Sequence, residues 1–180
     1  MDKPILYIDC DGVIFNTIAV GYEMMKKKGC NMNNHREVDK YFRELDWRDI
    51  FKEAKVINNA FERIEELKRS NLFSDVVILT GLSGSYYEEG MKRDIFHMYL
   101  PGTRVITAQR GIPKALVAPH HENSILVDDE EKNCDSYKKY DGHAILFSED
   151  ILDLDNDAIN DLGYVSETNE YKELVKTRNF

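Results

Sequence analysis

Short, unbroken apolar runs recur along this 180-residue chain, and they limit its fold more than any other feature. Such runs stand at residues 5–8, 76–79 and 144–147, and the shorter Val105-Ile106 and Ile125-Leu126-Val127 mark further strands at 104–107 and 124–127. Successive side chains on a strand point to opposite faces, so a run without polar alternation has to be covered on both sides. Segments of helical spacing separate the runs. They cover residues 17–28, which Gly29 is suited to stop, 86–100, which end before Pro101, and 131–139. Val56, Ala60, Ile64 and Leu67 also recur on one helical face, with Glu62, Glu65 and Glu66 largely on the others. Strands alternating with helices predict an α/β chain: a three-layer, Rossmann-like parallel sheet with helices on both faces. Residues 30–55 are polar with scattered aromatics, and residues 148–180 give a weak, polar signal.

Composition narrows the partners. Hydrophobic residues make up 42% of the chain, enough for a core, and the length suits one domain with a small insertion. Lys and Arg total 24 against 33 Asp and Glu, a formal charge of −9, which disfavours long nucleic acids and anionic membranes. The densest basic patch, Lys26 to Lys28, is too short to reverse this. No apolar run is long enough to span a bilayer, and the first residues show no signal-peptide pattern. Cys10, Cys30 and Cys134 are an odd, widely spaced set without a CxxC pair. A reducing, cytoplasmic setting is therefore expected, with neither a disulfide framework nor a zinc site. Oligomeric state has no signature in the sequence.

The chemistry gathers where the runs end. The first leads into Asp9-Cys10-Asp11-Gly12, the second into Thr80-Gly81 and the stretch at 124–127 into Asp128-Asp129. In open parallel sheets, ligands bind outside the carboxyl ends of the strands. If these strands are neighbours, four carboxylates converge. Two unit charges about 5 Å apart repel by roughly 3 kcal/mol at an effective dielectric near 20, so a cation is required. Mg2+ suits oxygen ligands and is typically held by carboxylates together with substrate phosphate. A carboxylate can attack phosphorus, and its neighbour two positions on can serve as general acid and base. Thr80 can hydrogen-bond the transferring phosphoryl group, Lys114 can neutralise its charge, and Gly12 permits a tight turn beside the ion.

Asp9-Cys10-Asp11-Gly12-Val13, Leu79-Thr80-Gly81, Lys114 and Val127-Asp128-Asp129 resemble, in order, the four motifs of the haloacid dehalogenase (HAD) superfamily. The resemblance spans residues 5 to about 147. It implies Asp9 as nucleophile and Asp11 as general acid/base, with Thr80, Gly81 and Lys114 on the phosphate. It further implies magnesium handled by Asp9, the backbone carbonyl of Asp11, Asp128 and Asp129. Because Asp11 is present, a phosphatase or phosphomutase is implied rather than a dehalogenase. Residues 92–100, Lys114 and the Ile-Leu-Val-Asp-Asp stretch also look like the 5'(3')-deoxyribonucleotidase branch, which carries a small helical cap between the first two motifs. Thr80 is followed by Gly-Leu-Ser instead of that branch's proline-containing loop. On this likeness, residues 1–15 and 71–180 form the core and residues 16–70 the cap. The substrate is then a small phosphorylated metabolite, a (deoxy)nucleoside 5'-monophosphate, with a sugar phosphate as the alternative. Phe15 at the hinge and Phe42, Trp47 and Phe51 in the cap are candidates to stack on a base.

Other features have plainer readings. Lys92 is expected on a charged helix face, and aromatics at the spacing seen in the cap are more often packed core than base-stacking groups. His35 and the His120-His121 pair lack partners at metal-ligand spacing and fit surface loops. Asp153, Asp155 and Asp157 imitate a calcium loop, but its sixth position is Ala158 and its twelfth Tyr164, so an acidic turn is expected. Cys10 should point into the core. A receiver-like signalling domain would place its acidic pair early, whereas here the pair comes last. A catalytically silent binding domain would not require both Asp9 and Asp11.

Overall fold

The computed structural model describes residues 3–150 and 158–177, so Asp153, Asp155 and Asp157 lie outside the described residues. All five apolar runs are strands: β1 (Ile5–Ile8), β2 (Asp75–Gly81), β3 (Arg104–Ala108), β4 (Ser124–Asp128) and β5 (His143–Phe147). A sixth, β6 (Ala158–Ile159), joins them in one parallel sheet of order β3-β2-β1-β4-β5-β6. Pairing runs from β1 toward β2 and β3 on one side and toward β4 and β5 on the other, which puts the topological switch point between β1 and β4. Ile8 is in register with both Ile78 and Val127, and the Asp9 N–H donates to the Val127 carbonyl at 2.9 Å. The acidic ends of β1 and β4 are thereby level.

Side-chain alternation divides the core into two layers. Leu6, Ile8, Val76, Ile78, Ile125 and Val127 face one side, and Ile5, Tyr7, Val77, Leu79 and Leu126 face the other. The first layer receives Ile64 and Leu67 of α4 (Ala60–Arg69) and Phe96 of α5 (Glu88–Tyr99). The second receives Ala115 of α6 (Lys114–Val117) with Cys134 and Tyr137 of α7 (Glu131–Lys139). Each such side chain, once fully buried, contributes roughly 1.5–3 kcal/mol of transfer free energy.

Four helices separate β1 from β2: α1 (Thr17–Lys27), α2 (His35–Glu44), α3 (Trp47–Glu53) and α4. Asn34 caps α2 by accepting from the N–H groups of Arg36 and Glu37, and Asp46 caps α3 through Arg48 N–H. Leu45, Trp47 and Ile50 form a third cluster with Val20 and Met24 of α1 and Phe42 of α2. By contrast, α4 puts Ala60, Ile64 and Leu67 into the sheet's core. Val56, expected on the same helical stripe, is exposed and outside α4, because Asn58 and Asn59 sit in the left-handed region (φ 43° and 55°) and break the chain first.

The weakly patterned tail adds β6, a 3-10 segment (Leu162–Glu167) and α8 (Asn169–Lys176), with Leu174 in the core and Tyr171 edge-on to Phe73. No helix among the described residues is long and apolar enough to cross a membrane.

Candidate active site

The turn after β1 builds the site. Cys10's carbonyl accepts from both Ile14 N–H and Phe15 N–H, and Gly12 N–H donates to the Phe15 carbonyl. This coil needs φ +74° at Gly12, a left-handed value that glycine adopts at no steric cost. A Cβ at Gly12 would lie 2.0 Å from Oδ2 of Asp129, so the glycine also makes the space that this carboxylate occupies. Cys10 is fully buried in the first core layer, as strand alternation predicts, while Asp9 and Asp11 on either side of it line a cavity of about 590 Å³.

Asp9, Asp128 and Asp129 bring one carboxylate oxygen each within 4.8 Å of one another. Lys114, in the first turn of α6, holds Asp9 Oδ1 at 2.9 Å and Asp128 Oδ2 at 2.5 Å. The other Asp128 oxygen accepts from Glu130 N–H and Asn133 Nδ2, both at 3.0 Å. Two of the three carboxylates thus share one ammonium. Burial raises Asp9 to about 7; Lys114 opposes the shift, while Asp128 and Asp11 add to it. Burial raises Asp129 to about 8, reinforced by Asp9 and Asp128. Burial disfavours a charged Lys114, but Asp9 and Asp128 outweigh it and hold the amine above its ordinary value. An all-oxygen donor set with an excess of negative charge fits a hard divalent cation such as Mg2+.

Asp11's side chain stands apart from that cluster. Its Oδ1 accepts from Thr17 Oγ1 at 2.7 Å, and its Oδ2 from Lys92 Nζ at 2.5 Å. Thr80 is fully buried, outside the cavity lining, with its hydroxyl 3.5 Å from Asp11 Oδ2; Gly81 and Ser83 line the cavity instead. Lys92 is not on a charged helix face. It is completely buried, paired with Asp11 and, at 2.9 Å, with Glu88 one helical turn earlier. Burial disfavours its charge, yet Asp11, Cys10 and Glu88 together hold the amine above its ordinary value. The i, i+4 spacing of Glu88 and Lys92 was visible in the sequence, but nothing there showed that both face inward.

The four candidate aromatics separate. Phe42 and Trp47 line the cavity, Trp47 with its indole N–H unpartnered among the described residues. Phe15 and Phe51 do not line it; they pack edge to face, centroids 5.4 Å apart, against the first core layer. His35 is exposed at the cavity mouth, His120 lies on the surface and His121 is partly buried in a 3-10 turn. None of the three cysteines is in a disulfide.

Strand order, the flanking helices and the acidic ends of β1 and β4 define a HAD-like Rossmann-type α/β fold. Solved structures of this fold are similar over nearly the whole chain. A HAD-superfamily hydrolase of subfamily IA from Geobacter sulfurreducens aligns with TM-score 0.60 and 14% identity, covering 92% of this chain and 98% of its own. A haloacid dehalogenase-like hydrolase from Xanthomonas campestris gives TM-score 0.62 at 9% identity, covering 98% and 95%. A magnesium-bound HAD-hydrolase from Bacillus subtilis gives TM-score 0.56 at 14% identity, covering both chains completely. No family model matches the sequence, and no curated protein matches it.

Proposed function

We propose that the chain is a magnesium-dependent phosphatase of small phosphate monoesters, with Asp9 as nucleophile and Asp11 as general acid and base. One observation carries the reading: Asp9, Asp128 and Asp129 crowd within 4.8 Å of one another, Lys114 pairs with the first two, and Asp9, Asp129 and Lys114 line an open cavity. The HAD-like fold and its magnesium-bound relative support it.

Asp9 and Asp129 would ligate the ion directly, since both oxygens of Asp128 are already engaged by Lys114, Glu130 and Asn133. When bound, the ion supplies positive charge against the phosphate oxygens and the attacking carboxylate. Lys114 fixes Asp9 and offsets charge on the phosphoryl group. The Asp9 oxygen bonds phosphorus as the ester P–O bond breaks, and the departing oxygen takes the proton of Asp11. Water then attacks the aspartyl-phosphate, Asp11 accepts the water proton, phosphate leaves and Asp9 is restored.

Helices α1 to α3 would act as the cap that selects what enters, with α4 belonging to the core it packs against. Phe42 and Trp47 on the cavity wall favour a nucleoside 5'-monophosphate. The alternative is a sugar phosphate or a phosphomutase reaction; a β-phosphoglucomutase-like structure from Bacteroides vulgatus shares the fold with TM-score 0.58 at 14% identity.

A screen of nucleotides, sugar phosphates and phosphorylated amino acids with magnesium tests this. The reading expects higher kcat/KM for nucleoside monophosphates than for sugar phosphates, and loss of turnover in Asp9→Asn. An Asp9→Asn protein that works as fast as the parent rules out the nucleophile, and the reverse substrate ranking removes the nucleotide.

A further inference from the structure

Lys92 is a costly residue to bury. A lysine with no exposed side chain is tolerated only with its charge matched and its protons placed. Its ammonium has three protons and four acceptors in reach: Asp11 Oδ2 at 2.5 Å, Glu88 Oε1 and the Gly81 carbonyl at 2.9 Å, and Thr80 Oγ1 at 3.2 Å. Pairing with Glu88 alone would satisfy its charge, since both lie on α5 and both are buried. The reach to Asp11 therefore does something else. With Thr17 on Oδ1 and Lys92 on Oδ2, the Asp11 carboxylate is gripped at both oxygens while still bordering the cavity.

Glu88 extends the grip outward. Its Oε2 accepts from Ser83 N–H at 2.7 Å and pairs with Ser83 Oγ at 2.6 Å, and Ser83 Oγ also lies 3.1 Å from the carbonyl of Phe42 on α2. Trp47 of α3 sets its ring 4.5 Å from Lys92 Nζ. A continuous chain of contacts thus runs from α2 and α3 through Ser83, Glu88 and Lys92 to Asp11.

We propose that Lys92 and Glu88 are positioning residues: a buried pair that fixes the orientation of the Asp11 carboxyl group, which in its protonated form gives its proton to the leaving group, in register with α2 and α3 seated over the cavity. The proposal rests on Asp11 acting as general acid. Lys92 does not line the cavity; Glu88 does, but its carboxylate is engaged by Lys92 and Ser83.

The signature is a dependence on the leaving group. An alkoxide needs a proton to depart, whereas p-nitrophenolate does not, and kcat/KM reports the step in which the ester bond breaks. The variant is the double substitution Lys92→Met with Glu88→Gln in the full chain, which removes one positive and one negative charge together and leaves the net charge around Asp11 unchanged. With magnesium, its kcat/KM is expected to fall about 100-fold on the best alkyl phosphate from the screen, and to stay within about threefold on p-nitrophenyl phosphate. Equal losses on both esters mean a purely structural role and overturn the proposal, as does no loss on either. If the double variant fails to fold by circular dichroism, Glu88→Gln alone is read by the same comparison: a selective loss on the alkyl ester supports the pair, and an equal or absent loss overturns it. Asp11→Asn run alongside separates the two layers of argument. If it keeps full alkyl-phosphatase activity, the acid assignment itself fails; if it loses that activity while the pair variant does not, only the positioning pair fails.

Discussion

Burial and the neighbouring carboxylates disfavour the charged forms of Asp9 and Asp129, and this has a consequence for stability. Both have folded-state values far above the ordinary 3.8, at about 7 and about 8. Between the ordinary value and these, the folded chain binds more protons than the unfolded chain, so stability falls as pH rises through that window. With magnesium chelated, the melting temperature should therefore drop from pH 5.5 to pH 8. Added magnesium competes with those protons, so its stabilising effect should be larger at pH 8 than at pH 5.5. Melting curves at the two pH values, with and without the ion, check both signs; a magnesium effect larger at the lower pH would contradict them. Gly12 makes the second prediction. Gly12→Ala would force a methyl group onto Asp129 Oδ2 and a side chain into φ +74°. Strain of this kind costs about 1–3 kcal/mol. Chemical denaturation should show that loss together with weakened magnesium binding.

Helices α1 and α2 meet at Gly21, where a Cβ would stand 2.5 Å from the Phe42 ring. Gly21→Ala must displace that ring, which lines the cavity, so KM should change more than kcat, with a stability loss of about 1 kcal/mol or more. Steady-state kinetics on the best substrate read this directly. Elements of this kind were unequally legible in the sequence. The five long strands were plain because each carries a short apolar stretch, and α7 matched its expected span of 131–139. The two-residue β6 was not, since two residues hold no period. Helix α4 began late because two left-handed asparagines interrupt its stripe. Within the candidate site, Asp9, Asp11, Lys114, Asp128 and Asp129 stood out in the sequence as strand-end or motif residues. Lys92 and Glu88 were not, because a charged pair at i, i+4 looks the same whether it faces water or core. Phe15 and Phe51 pack against the core away from the cavity, the commoner role for aromatics at such spacing, and only the fold separates them from Phe42 and Trp47.

The whole chain arranges a parallel sheet so that its switch point presents an excess of negative charge to an open cavity. Fold stability and site chemistry are opposed there, since the same carboxylates that would bind an ion repel one another in its absence. Equilibrium dialysis of the full chain against magnesium at pH 8 tests that opposition most directly. The parent should bind one ion per chain, with affinity reduced about tenfold or more in Asp129→Asn. A parent that takes up no magnesium, or an Asp129→Asn variant that binds it as tightly as the parent, would contradict a metal-assisted site at this sheet edge.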